Sequence, residues 1–120
     1  MIKILKRWKD ILKPGGIMRL AVPDFYEISK LHNNQSFSLD NFLGPLYGQM
    51  DFEGEKIFHK TVYDFKSLKT VLCDIGMKKI KRYDWRKTSH SNFDDHSQAY
   101  LPHMEKENGF LISLNVECKK

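Results

Sequence analysis

His90, Asp94, Asp95, His96 and His103 fall within one short stretch near the carboxyl end of the chain. Imidazole nitrogens and carboxylate oxygens are usable metal ligands, and imidazole exchanges protons near neutral pH. The intervals between these residues fit none of the standard zinc patterns. A polar surface loop is the plainer reading, and no metal is expected. Asp24 has a positional case instead. It follows an apolar run, where ligands bind in open α/β sheets, beyond a strand's carboxyl end. The same aspartate, with Glu27 three positions later, also reads as a helix-capping pair, and both readings stay open. The run Lys78-Lys79-Ile80-Lys81-Arg82 could meet phosphates. Charge guarding an edge strand explains it equally well and is preferred, so nucleic acid is not an expected partner.

The element that positions Asp24 is the segment Leu12-Lys13-Pro14-Gly15-Gly16 and the apolar run after it. Proline disfavours a helical residue before it, and glycine takes positive φ without steric cost. A helix should therefore end here and turn into a strand. Residues 17–22 are apolar at five of six positions, the pattern of a strand covered on both faces in a parallel sheet.

Upstream, Ile4, Leu5, Trp8, Ile11 and Leu12 recur at helical spacing with charged residues opposite, an amphipathic helix packed on a sheet. It starts almost at Met1 with no strand before it, so a truncated opening is expected. Downstream, a short helix should run through Leu31. A second, capped by Ser38, should span residues 39–43 before Gly44-Pro45 interrupts it. Residues 48–55 read as a mobile loop.

Asp64 should cap a helix whose stripe is Phe65, Leu68, Leu72 and Ile75, ended by Gly76. Residues 78–85 form a strand, and 86–108 a long connection. Residues 110–118 alternate most clearly, and a connection without an obvious helix favours antiparallel pairing with the strand before.

The segment Trp8-Lys9-Asp10-Ile11-Leu12-Lys13-Pro14-Gly15-Gly16 and its apolar strand resemble the lead into the fifth strand of class I S-adenosylmethionine-dependent methyltransferases, of the methyltransferase type 11 kind. Ile75-Gly76-Met77 is similar to that family's turn into its sixth strand. Asp84-Trp85-Arg86-Lys87-Thr88 and Gln98-Ala99-Tyr100-Leu101-Pro102-His103-Met104 resemble a bacterial subgroup of predicted methyltransferases. The likeness runs over the whole chain but onto only the carboxyl-terminal half of the family's fold.

The resemblance implies a single domain over 1–120, a partial Rossmann-like α/β sheet (strands 17–22, 78–85 and 110–118, the last antiparallel) with flanking helices. It also implies a substrate-side role in methyl transfer to a small molecule. Asp95, His96 and His103 would then orient or deprotonate the acceptor, while Asp24, His59, Asp94 and Tyr100 would line its cleft. S-adenosylmethionine is the implied cofactor, yet the chain has no G-x-G to cradle it, and no residue is assigned to hold it. A missing amino-terminal half, or a homo-oligomer acting as a non-catalytic interaction module, is the corresponding expectation for partners.

The chain is 120 residues long, 41% hydrophobic and 29% charged, with net charge +5. That composition excludes disorder, and no apolar run approaches the roughly 20 residues that cross a bilayer. A cytoplasmic location is expected. Cys73 and Cys118 are too few for a disulfide framework and should be small buried apolar groups.

Overall fold

The computed structural model describes residues 1–48 and 50–120. Helix α1 (Ile2–Ile11) leads through Gly15, at φ 74°, into strand β1 (Ile17–Pro23). Then come α2 (Phe25–Asn33), α3 (Asp40–Tyr47), and a hairpin of β2 (Met50–Phe52) and β3 (Glu55–Ile57). Helix α4 (Phe65–Asp74) precedes β4 (Lys78–Arg82). Two 3-10 turns (Trp85–Lys87 and His96–Gln98) and the short strands β5 (Tyr100–Leu101) and β6 (Phe110–Leu111) lead to β7 (Ser113–Lys119).

The architecture is mixed α/β. The main sheet has the order β1-β7-β4, and β7 runs antiparallel to both neighbours. The last strand therefore does run against its predecessor. The expected parallel sheet with 17–22 as an inner strand is corrected: among the described residues β1 pairs along its length with β7 alone, antiparallel, and Ile17 and Arg19 are exposed. The central position belongs to β7. Its Leu114, Val116 and Cys118 are sealed on one face, and Ser113 and Asn115 are buried on the other.

Two cores result. The larger gathers Leu5, Met18, Leu68, Leu72, Ile75, Met77, Leu114, Val116 and Cys118 between the sheet and helices α1 and α4. Helix α4 begins as expected: Asp64 accepts from the Ser67 amide at 2.7 Å while Ser67 Oγ accepts from the Asp64 amide, a reciprocal capping box. Gly76, at φ 81°, ends it. The smaller core joins Ile28, Leu31, Phe42, Leu101 and Ile112, so α2 and α3 pack on the β5–β6 ribbon.

Several boundaries differ from expectation for local reasons. Strand 78–85 stops at Arg82, because Asp84 accepts from the Arg86 amide and turns the chain into a 3-10 coil. Strand 110–118 breaks at Ile112, whose amide donates to Ala99 and whose carbonyl accepts from Asp24. Helix α3 runs through Gly44-Pro45. Proline there removes one donor in the last turn of a short helix. Ser38 is not its cap; Ser38 Oγ donates to Asn41 Oδ1. Within 48–55 the chain forms a hairpin rather than a loose loop, with Glu53 and Gly54 at φ 50° and 82°, the paired left-handed turn that suits twisted strands. Gln49 lies outside the described residues. Cys118 is buried as expected, whereas Cys73 is exposed.

Candidate functional site

Asp24 leaves β1 with no accessible surface. Its Oδ1 accepts from the Tyr26 amide at 3.1 Å, capping α2, and its Oδ2 accepts from Arg82 Nη1 at 2.9 Å. Its amide donates to Ile112, and the Phe25 amide donates to Tyr63. A buried charge persists when paired and hydrogen-bonded, and both oxygens here are committed. Asp24 thus knits β1, β4, α2 and the start of α4, and it turns no free atom toward a substrate. Above its ion pair lies a shallow groove of about 280 Å³ lined by Tyr26, Asp64, Phe65, Lys66 and Arg82.

Asp94 and Tyr100 belong to a second group, with Trp85, Arg86, Gln98 and Lys106. Lys106 Nζ donates to Asp94 at 2.9 Å and to Gln98 Oε1 at 2.7 Å. The Tyr100 hydroxyl, on a buried side chain, accepts from Arg86 at 2.9 Å and from the Trp85 indole at 3.3 Å. Arg86 and Lys106 also stand over the Trp85 ring, 4.7 and 5.7 Å from its centroid, where the ring's negative face attracts them. The ring and its two cations hold the 84–108 connection together. Arg86 and Lys106 escaped the sequence reading because cation–ring contacts across 20 residues leave no periodic signal.

Asp95 and His96 sit on the second 3-10 turn. Asp95 Oδ1 accepts from the Ser97 amide at 2.7 Å, and His90 Nε2 lies 3.9 Å from Oδ2. Burial pushes the Asp95 carboxyl up, but hydrogen bonding from Ser97 and the charge of His90 and His96 outweigh it, holding the group below the ordinary carboxylate value. The turn is pinned to the sheet by Asn115 Nδ2, which donates 2.8 Å to the Ser97 carbonyl. Tyr83, beside this group, has its phenol pushed up by burial and then by the charge of Asp95.

His59 is elsewhere, exposed, its Nδ1–H donating to the Leu46 carbonyl at 3.2 Å and its ring laid against Gly48. His96 and His103 are exposed. The structure therefore gathers Asp94 with Tyr100 and sets Asp95 beside His96. Asp24, His59 and His103 stand apart. No three metal-ligating side chains converge among the described residues. A second groove, of about 320 Å³, opens at the other end of the sheet among Ile17, Lys79, Lys81, Glu117, Cys118 and Lys119.

Comparison with protein-family models, with curated proteins and with solved structures finds no match. Among the described residues, no helix is long and apolar enough to cross a membrane.

Proposed function

We propose that the chain is the substrate-side, carboxyl-terminal half of a class I methyltransferase-like domain. The observation that carries this reading is the order of elements: helix, strand, helix, strand, antiparallel strand, with α2, α3 and the β2–β3 hairpin inserted after β1. Insertion at that point supports a substrate-facing layer, since open α/β sheets bind ligands beyond their strands' carboxyl ends.

The residues present do not fit S-adenosylmethionine. Gly15-Gly16 precedes a strand instead of following one, and no glycine-rich loop opens a helix. The reading therefore assigns cofactor binding to residues outside this sequence. This chain's share is to position a small-molecule nucleophile and to take its proton. Exposed His96, with Asp95 beside it, is the first choice for that proton; His103, also exposed, is the alternative. Tyr100 and Asp94, already engaged, shape the walls.

The test joins protein and gene. A reading frame just upstream of Met1 that encodes a strand and a glycine-rich loop should, when joined to this chain, confer S-adenosylmethionine binding in a calorimeter. The chain alone should bind none. His96→Ala in the joined protein should then slow methyl transfer about a hundredfold without altering cofactor affinity. A joined, folded protein that binds no cofactor would overturn the reading. That outcome would favour a non-catalytic module, which the scatter of the candidate residues also supports.

A further inference from the structure

The face of the main sheet turned away from α1 and α4 is covered over only part of its length. Leu114, Val116 and Cys118 fill the helix-covered side, so by strand alternation Ser113, Asn115, Glu117 and Lys119 share the other. Ser113 and Asn115 are buried there, with Asn115 bonded to the Ser97 carbonyl of the 84–108 connection. The cover ends at Glu117. Beyond it lies the groove of about 320 Å³, where Ile17, Lys79, Lys81 and Lys119 are all exposed.

The charges at this bare end come from three strands. Arg19 of β1 and Lys81 of β4 flank Glu117 of β7 at 3.1 and 3.3 Å and engage both of its oxygens. Lys119 of β7 stands one pair further along, opposite Ile17 and Lys78. With Lys79, four cations surround one carboxylate. Edge protection explains the charge on β4. It does not explain Arg19 on β1 or Lys119 on the central strand. Arg82, which ends the lysine-rich run, is committed elsewhere, to Asp24 and the Phe65 ring. Lys79 is the most telling member. The bulge between Lys78 and Lys81 holds it at φ 51°, a conformation costly for any residue but glycine, and bulges re-aim the side chains they carry. A lysine stands where glycine would suit the backbone better.

We propose that this end of the sheet binds a single strand of nucleic acid through its phosphates. Cations on β4, β7 and β1, with neighbouring strands about 4.8 Å apart, span about 10 Å, which is room for successive phosphates rather than one. They are exposed side chains spread along an open groove, not groups converging on a point as a small-molecule site requires. Such a surface gains most from a polyanion, which releases counterions as each charge is met. No aromatic ring lines the groove, so bases find nothing to stack on there. Contacts to phosphate alone carry no sequence information, and binding is indifferent to base identity. Glu117 holds Arg19 and Lys81 in place while its own charge opposes the ligand. The surface lies at the far end of the sheet from Asp24 and owes nothing to the methyltransferase reading.

Fluorescence anisotropy of a short labelled oligothymidylate, titrated with the full chain from about 20 to about 200 mM salt, tests it. A dissociation constant of about 10–100 μM at low salt is expected, with a log–log salt slope of about −2 to −3. Lys79→Gln with Lys119→Gln should weaken binding about tenfold and flatten the slope by about 1 to 1.5. Lys3→Gln with Lys6→Gln removes the same charge from α1, across the sheet, and should change binding by less than about twofold. Glu117→Gln should tighten binding about threefold. Lys79→Gly should weaken binding yet leave the thermal midpoint equal or higher, the mark of a backbone conformation kept for its side chain. No binding at the lowest salt overturns the proposal. An equal loss from both lysine pairs does so too, because net charge alone would then explain the attraction. Displacement of the strand by an equal concentration of phosphate groups as inorganic triphosphate would show a small-anion site. Binding to anionic vesicles without binding to the strand would show a lipid surface. Either result overturns it.

Discussion

Arg82 and Asp24, 58 residues apart in sequence, are joined by a 2.9 Å ion pair whose carboxylate is wholly enclosed and whose guanidinium is half in water. The pair lashes the end of β4 to the exit of β1 on either side of β7. Its two members differ sharply in solvation, and that asymmetry decides what each contributes.

Removing Arg82 strands an anion that water cannot reach, whereas neutralising Asp24 leaves a cation that water readily takes over. Arg82→Met should therefore lower stability by about 3 kcal/mol, the low end for a broken buried pair. Asp24→Asn, which keeps an acceptor for the Tyr26 amide, should cost clearly less. Urea unfolding of the two variants decides it, and equal losses would refute the asymmetry.

Glu117 lies across the sheet from Arg19 at 3.1 Å and from Lys81 at 3.3 Å. Burial pushes its carboxyl up, but hydrogen bonds and charge from the two cations outweigh burial, so the group titrates below its ordinary 4.5. A carboxyl lowered in the folded chain stabilises fully above its unfolded pKa, and that stability is lost as pH falls through the folded value. Stability should decline on acidification below about pH 4.5. Glu117→Gln should flatten part of that acid limb when urea midpoints are measured across the pH range. A limb as steep as the parent's would show that this triad does not contribute.

Two glycines of the α3 region make a matched pair. Gly48 has φ 48°, and a Cβ built there would come within 2.5 Å of the His59 ring. Gly44 sits inside the helix, with nothing within 4 Å of a Cβ. Gly48→Ala should destabilise by about 1–2 kcal/mol from the left-handed backbone and displace the His59 ring, visible in its NMR signals. Gly44→Ala should be neutral or stabilising by up to about 1 kcal/mol. Thermal midpoints that moved in the same direction for both would contradict this.

Local chemistry was legible in the chain, and long-range pairing was not. Asp64 with Gly76 bounded α4, and the alternation of Leu114, Val116 and Cys118 marked the buried face of β7, because caps and periodicity act over a few residues. The apolar composition of residues 17–22 truthfully reports that the strand is suited to cover on both faces. It says nothing of whether a neighbour lies within the same 120 residues. The split at Ile112 was hidden because both halves alternate, and the break is made by backbone bonds to Ala99 and Asp24. For Asp24 the capping reading was the one the geometry realises. The ion pair to Arg82 had no local signature, since it depends on two strands meeting a third between them.

Ile112 occupies a joint between two oily centres. Its side chain belongs to the smaller one, while its carbonyl holds the amide of Asp24, the residue that ties the large sheet to α2. Loosening either centre tugs on that single peptide, so the halves are mechanically yoked. A molecule assembled around two interiors thus carries a direct backbone tie from one to the other.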